Sequence, residues 1–126
     1  MTKDPTGRFV IVKGLLHSEP ITFVNIYGPN IDDPQFFERL FFNLSGVNSD
    51  IYISGDWNLI LDTRLDRSSE KPSSLTRSAA VVKSEMLGRG LTDVWRELHG
   101  NTRGYSFYSP VQNSYTRIDL SEYPYL

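Results

Sequence analysis

An apolar run that breaks off at a glycine, with two polar side chains just beyond it, constrains this chain more than any other feature. Ile51-Tyr52-Ile53 favours a buried strand, and Ser54-Gly55 stops it. Asp56 and Asn58 come next, with only Trp57 between them. A strand ending in this way delivers its next residues at the rim of a sheet, where a rigid scaffold can position a site. In an extended segment the two side chains would lie on one side, two residues apart. A carboxylate and a carboxamide so placed suit phosphodiester cleavage. Asp and Asn are also turn formers, and because such turns are abundant Gly-Asp-Trp-Asn alone is more often the sequence of a turn than of a site.

The segments around it read as an α/β layered domain. Asp4-Pro5-Thr6-Gly7 is a turn into Arg8–Leu16, a continuous apolar run expected to be covered on both faces. After the polar connection His17-Ser18-Glu19-Pro20, Ile21–Tyr27 forms the second arm of a hairpin. Asn25 and Tyr27 point the same way near its end. Asp33-Pro34 is a helix start, and Phe37, Leu40, Phe41 and Leu44 make one apolar stripe before Ser45-Gly46. The helix thus sits between strands.

Beyond Asn58 the pattern loosens. Leu59 to Ser74 is a long polar loop, of the kind that carries function in small domains. Leu75, Ala79, Val82 and Met86 mark a second helix ending at Gly88 or Gly90, and Leu91, Val94, Trp95 and Leu98 a short third one before His99-Gly100. Tyr105–Tyr108 alternates as a strand. Ser109 to Ser114 turns, and Tyr115–Leu120 returns with Tyr115, Arg117 and Asp119 on one face. An Arg beside an Asp at that spacing is usually a solvated or paired edge. Ser121 to Leu126 carries no usable pattern.

Composition excludes several classes. The 126 residues suffice for one domain, and 39% hydrophobic with 22% charged content is that of a globular protein. No apolar run reaches the roughly 20 residues of a membrane helix, Met1-Thr2-Lys3-Asp4-Pro5 has no apolar h-region to suggest secretion, and there is no cysteine for a disulfide or thiolate metal site. A net charge of −2 argues against a bulk polyelectrolyte binder but not against a hydrolytic site with a few basic contacts.

Taken in order, Asn25-Ile26-Tyr27-Gly28-Pro29-Asn30, Gly55-Asp56-Trp57-Asn58 and Tyr115-Thr116-Arg117-Ile118-Asp119 resemble the endonuclease/exonuclease/phosphatase superfamily. With Leu65-Asp66-Arg67-Ser68 and Tyr105-Ser106-Phe107-Tyr108 they are most similar to the endonuclease domain of LINE-type (non-LTR) retrotransposons, relatives of apurinic/apyrimidinic endonucleases. The resemblance runs from about Asp4 to Asp119. It implies a four-layer α/β sandwich, two mixed or antiparallel sheets flanked by helices, and a metal-dependent DNA-nicking activity. Tyr27 would hydrogen-bond the scissile phosphate, and Asp56 would orient or deprotonate the attacking water. Asn58 would hold that water or the phosphate. Asp119 matches the acid that pairs with a catalytic histidine. Asn25, Ser106 and Thr116 match positions near the bound strand, and Arg67 a phosphate contact. Mg²⁺, with Mn²⁺ as a substitute, is the implied cofactor, and DNA the implied partner.

The departures matter as much. The family's early strand with its metal-binding Glu, and its final Ser-Asp-His element, have no match here, so residues 1–126 read as a single truncated domain. Neither His17 nor His99 fits the missing histidine, and the metal ligands stay unassigned. The sandwich is accordingly expected to be partial, lacking N-terminal and C-terminal strands, and the activity of this stretch absent or weak. The alternatives are a non-catalytic retrotransposon remnant or nucleic-acid-binding piece, and a phosphatase of the same superfamily. The implied setting is an intracellular, nuclear polyprotein that can include a reverse transcriptase, with no membrane association.

Overall fold

The computed structural model describes residues 1–69, 74–110 and 114–124. The chain begins with a short strand, β1 (Thr2–Lys3), and a turn tied by the Gly7 N–H donating to the Asp4 carbonyl at 2.8 Å. The buried Asp4 carboxylate accepts from the Thr6 and Arg8 N–H groups and so closes the turn from inside. β2 (Phe9–Leu16) and β3 (Glu19–Tyr27) then form an antiparallel hairpin. Its loop is tighter than the sequence suggests. His17 and Ser18 alone make it, both with positive φ (50° and 67°), the left-handed geometry that two-residue hairpin loops demand. Glu19 and Pro20 already belong to the strand.

α1 (Pro34–Asn43) starts as expected, with the Asp33 carboxylate accepting from the Phe36 N–H and Pro34 in the first turn. Its stripe of Phe37, Leu40, Phe41 and Leu44, joined by Phe36, is fully buried. Each such side chain contributes about 1.5–3 kcal/mol of burial. The crossover brings β4 (Asp50–Asp56) parallel to β3. α2 (Arg77–Arg89) is capped by Thr76 and ended by Gly90 at φ 68°. Leu75 precedes it and packs on the core.

Leu91 corrects the reading of a helical turn. It opens a three-residue strand, β5 (Leu91–Asp93), and α3 (Val94–His99) begins after Asp93 caps it. The stretch expected as one returning strand is two. β7 (Ser114–Thr116) pairs with β6 (Phe107–Ser109) as a separate ribbon, and β8 (Asp119–Pro124) enters the main sheet between β4 and β5. Much of the expected turn between the ribbon strands, 111–113, lies outside the described residues, as do 125–126.

The result is a six-stranded mixed sheet in the order β1-β2-β3-β4-β8-β5 with a two-stranded ribbon beside it. Phe9, Ile11, Val24, Ile26, Ile51 and Ile53 face α1 and α2 in one continuous core. The α/β class is as expected. Of the four layers, the described residues form a helical layer and one large sheet. The other face of the sheet is open, and here the expectation of double coverage fails. Val12 is 42% exposed and Phe23 49%, although Val12 and Phe23 pair and the Phe23 ring lies 5.8 Å from Tyr52. The apolar run of β2 is continuous, but only alternate residues meet the helices.

Candidate functional site

Register assembles the site at one end of this open face. Tyr27 on β3 pairs with Asp56 on β4, and Asp56 with Asp119 on β8, so three adjacent strands set these side chains in a row. Asn25, Ser54 and Ser121 form the row beneath. Tyr27 is 60% exposed, its ring lying beside the Arg8 guanidinium at 5.4 Å. Sequence reasoning missed Arg8. Its place is fixed by the backbone of the preceding turn, with the Tyr27 N–H donating to the Arg8 carbonyl at 2.7 Å.

Asn58 reaches the row by a different geometry from the one expected. Its φ is 50°, so the chain does not stay extended past Asp56. A turn folds Asn58 back instead. Its N–H donates to Asp56 Oδ1 at 2.9 Å, and its Nδ2 donates to the Gly28 carbonyl at 2.8 Å. Turn and site are here the same feature. Two glycines make the close approach possible. A Cβ on Gly28 would lie 2.2 Å from the Trp57 carbonyl oxygen, and one on Gly55, at φ 137°, 2.1 Å from that of Ile26. Trp57 is wholly buried, its Nε1–H donating to the Leu120 carbonyl at 3.2 Å, and it locks the turn to β8.

Burial pushes the Asp56 carboxyl above the ordinary carboxylate range. The N–H of Asn58 pulls it back in part, and the Asp119 charge opposite pushes it up again. A carboxylate with a raised pKa holds a proton more readily, which suits it to take one from water. Asp119 is steadied from the ribbon side: Ser106 Oγ accepts from the Ile118 and Asp119 N–H groups at 3.0 and 3.2 Å. Ser106 therefore supports the row. Arg67 and Thr116 are bridged to each other alongside, and the Ser106 N–H donates to the Thr116 carbonyl at 2.9 Å.

The histidines lie elsewhere. His17 is in the β2–β3 loop, and His99 ends α3, its Nδ1 2.8 Å from the Trp95 carbonyl oxygen. Asp56, Asp119 and the Asn58 amide are oxygen donors of the type Mg²⁺ prefers. Among the described residues, however, no three His, Cys, Asp or Glu side chains gather as a metal site, so these residues do not by themselves complete one.

The sharpest departure is Arg117. Far from a solvated edge beside Asp119, it is 4% exposed and points the opposite way, into a cluster with Asp66, Asp93 and Arg96. Leu-x-Asp at 91–93, a strand-to-cap signal, could have revealed part of it. A cavity of about 610 Å³ with apolar walls borders the cluster at Asp66, Asp93 and Arg96, and none of Tyr27, Asp56, Asn58 and Asp119 lines it.

An AP endonuclease from Archaeoglobus fulgidus superposes with a TM-score of 0.66 at 23% identity over 90% of this chain, and the Xenopus laevis APE2 catalytic domain with 0.64 at 20% over 94%. The fold is part of that of the AP endonucleases. The endonuclease domain of TRAS1, a telomere-specific non-LTR retrotransposon, matches 98% of the chain at 16% identity and a TM-score of 0.57. In sequence, an uncharacterized 149 kDa protein of transposon TX1 from Xenopus laevis is 29% identical over 105 residues. These likenesses fit the resemblance read from the motifs. The chain spans 51%, 46% and 54% of those three solved chains and 8% of the transposon protein. No protein-family model matches it. No helix among the described residues is long and apolar enough to cross a membrane.

Proposed function

We propose that these residues belong to a DNA-nicking endonuclease domain of a retrotransposon polyprotein, hydrolysing a phosphodiester bond. The observation that carries this reading is the row Tyr27–Asp56–Asp119 with Asn58 clipped to its centre. Asp56 takes the proton of the attacking water, which its raised pKa favours. The Tyr27 hydroxyl, on an exposed ring, donates to a phosphate oxygen. Asn58 has one Nδ2 hydrogen committed to Gly28 and keeps the other, with Oδ1, for water or phosphate. Arg67 and Thr116 hold the flanking strand, and Asn25 lies one row below. Dependence on a divalent cation, Mg²⁺ or Mn²⁺, is part of the proposal. A reverse transcriptase in the same polyprotein and a nuclear setting would follow from the retrotransposon reading.

The test is nicking of supercoiled plasmid in Mg²⁺ by this chain, by Asp56→Ala and in EDTA. Nicking by the parent is expected to be weak, and it should fall by about 10²–10⁴-fold in Asp56→Ala and stop in EDTA. Turnover of inositol phosphates in preference to plasmid or abasic DNA would favour a phosphatase. A second reading, a nucleic-acid-binding piece without catalysis, is favoured by the placement of His17 and His99 away from the row and by the incomplete metal donor set among the described residues. Retention of DNA by a folded chain that never nicks would select it.

A further inference from the structure

Arg117 lies between the two segments that carry the ribbon and the site. β7 ends at Thr116 and β8 starts at Asp119. Its backbone N–H donates to the Asp66 carbonyl at 2.8 Å. Its guanidinium forks onto Asp66, Nε to Oδ1 at 2.9 Å and Nη2 to Oδ2 at 3.2 Å, and also grips Asp93, Nη1 to Oδ1 at 3.2 Å and Nη2 to Oδ2 at 2.5 Å. Arg96 completes the cluster on Asp66, and the Trp95 ring lies 5.1 Å from the guanidinium carbons of both arginines. The fork joins three pieces of chain: the loop carrying Arg67 directly after Asp66, the β5–α3 junction, and the bend that sets Thr116 on one side and Asp119 on the other.

Adhesion alone does not require such a device. Apolar side chains of similar volume would hold these elements together at least as well, because burying paired charges carries a desolvation cost. What a planar guanidinium between two carboxylates adds is direction, since it fixes angles as well as separations. We propose that Arg117 is a positioning residue for the cleavage reaction, its clamp on Asp66 and Asp93 setting where Arg67, Thr116 and Asp119 stand relative to the Tyr27–Asp56 row. The proposal rests on the nuclease reading. It assigns Arg117 no contact with substrate.

Arg117→Lys tests it, keeping the charge but losing the fork. Its nicking kcat should fall about a hundredfold, the effect of a small misplacement, with KM for plasmid unchanged and cooperative unfolding retained. In NMR spectra the Arg67, Ile118 and Asp119 amides should shift and exchange faster while those of β2 and β3 hold. Arg117→Met, which also removes the charge, should move the same signals further. Unmoved Arg67, Ile118 and Asp119 amides in folded Arg117→Lys would overturn the proposal, as would kcat equal to the parent's. So would losses shared between kcat and KM with signals shifting throughout, the mark of general destabilisation. A parent that does not nick, while these amides shift in the variant as described, overturns the nuclease reading alone.

Discussion

The two halves of this molecule are held together by different forces. From Phe9 to Trp57 the buried side chains are almost all large and apolar, with four aromatic rings in mutual contact, Phe9, Phe36, Phe37 and Trp57. From Asp62 to Asp119, α2 still packs on that apolar core through Ala79, Val82 and Met86, but around it the tightest fixings are ionic: Asp66, Asp93, Arg96 and Arg117, beside an α3 with no buried residue. Apolar packing is non-directional and tolerates repacking, whereas a guanidinium fork does not. Asp56 and Asn58 stand on the packed half, and Asp119 on the ionic one.

The largest test of that contrast is Arg117→Ala. It leaves two buried carboxylates short of a partner and should cost about 3–5 kcal/mol, with amide exchange rising first in β7, β8 and α3. Uniform exchange through β2 and β3 would dissolve the distinction. Leu40→Ala, in the packed half, should cost about 2–5 kcal/mol by urea unfolding and loosen the whole core at once. A smaller effect is expected from the helix caps, about 1 kcal/mol each for Asp33→Ala and Thr76→Ala, and equal losses would show that capping ignores the divide. The finest test is pH. Folding raises the Asp56 carboxyl, so its contribution favours the folded state at low pH and is lost as pH rises through the raised value. Asp56→Asn should therefore raise the melting temperature at neutral pH. The gain should shrink as pH falls toward 3.8, the ordinary carboxylate value. A gain independent of pH would contradict the burial of that carboxyl.

The same divide explains what the sequence made legible. The first half announces itself through period and punctuation: Asp33-Pro34 as a cap, Phe37 to Leu44 as a stripe, Ser54-Gly55 as a strand end. Each is a local rule, obeyed locally. Asn58 was legible as a neighbour of Asp56, but its left-handed turn was not, because the extended alternative has the same spacing. Arg117 was misread for a deeper reason. Nothing local tells an arginine that its partners are 24 and 51 residues away rather than two. β8 was hidden because a short strand added beside β4 is selected by the neighbour it pairs with, and β5 because three residues are too few for a period.

Gly28 and Gly55 give the site a floor of bare backbone. Above it Tyr27 is open to change, since its exposed ring holds no part of the turn, whereas Asp56 and Asn58 also close the turn. The floor is closed to change. A single methyl at Gly28 would pry the turn away from β3 and break the Asn58–Gly28 bond, whatever side chains stood above. A lineage built on this scaffold can therefore vary the exposed ring at position 27 far more readily than the backbone beneath it.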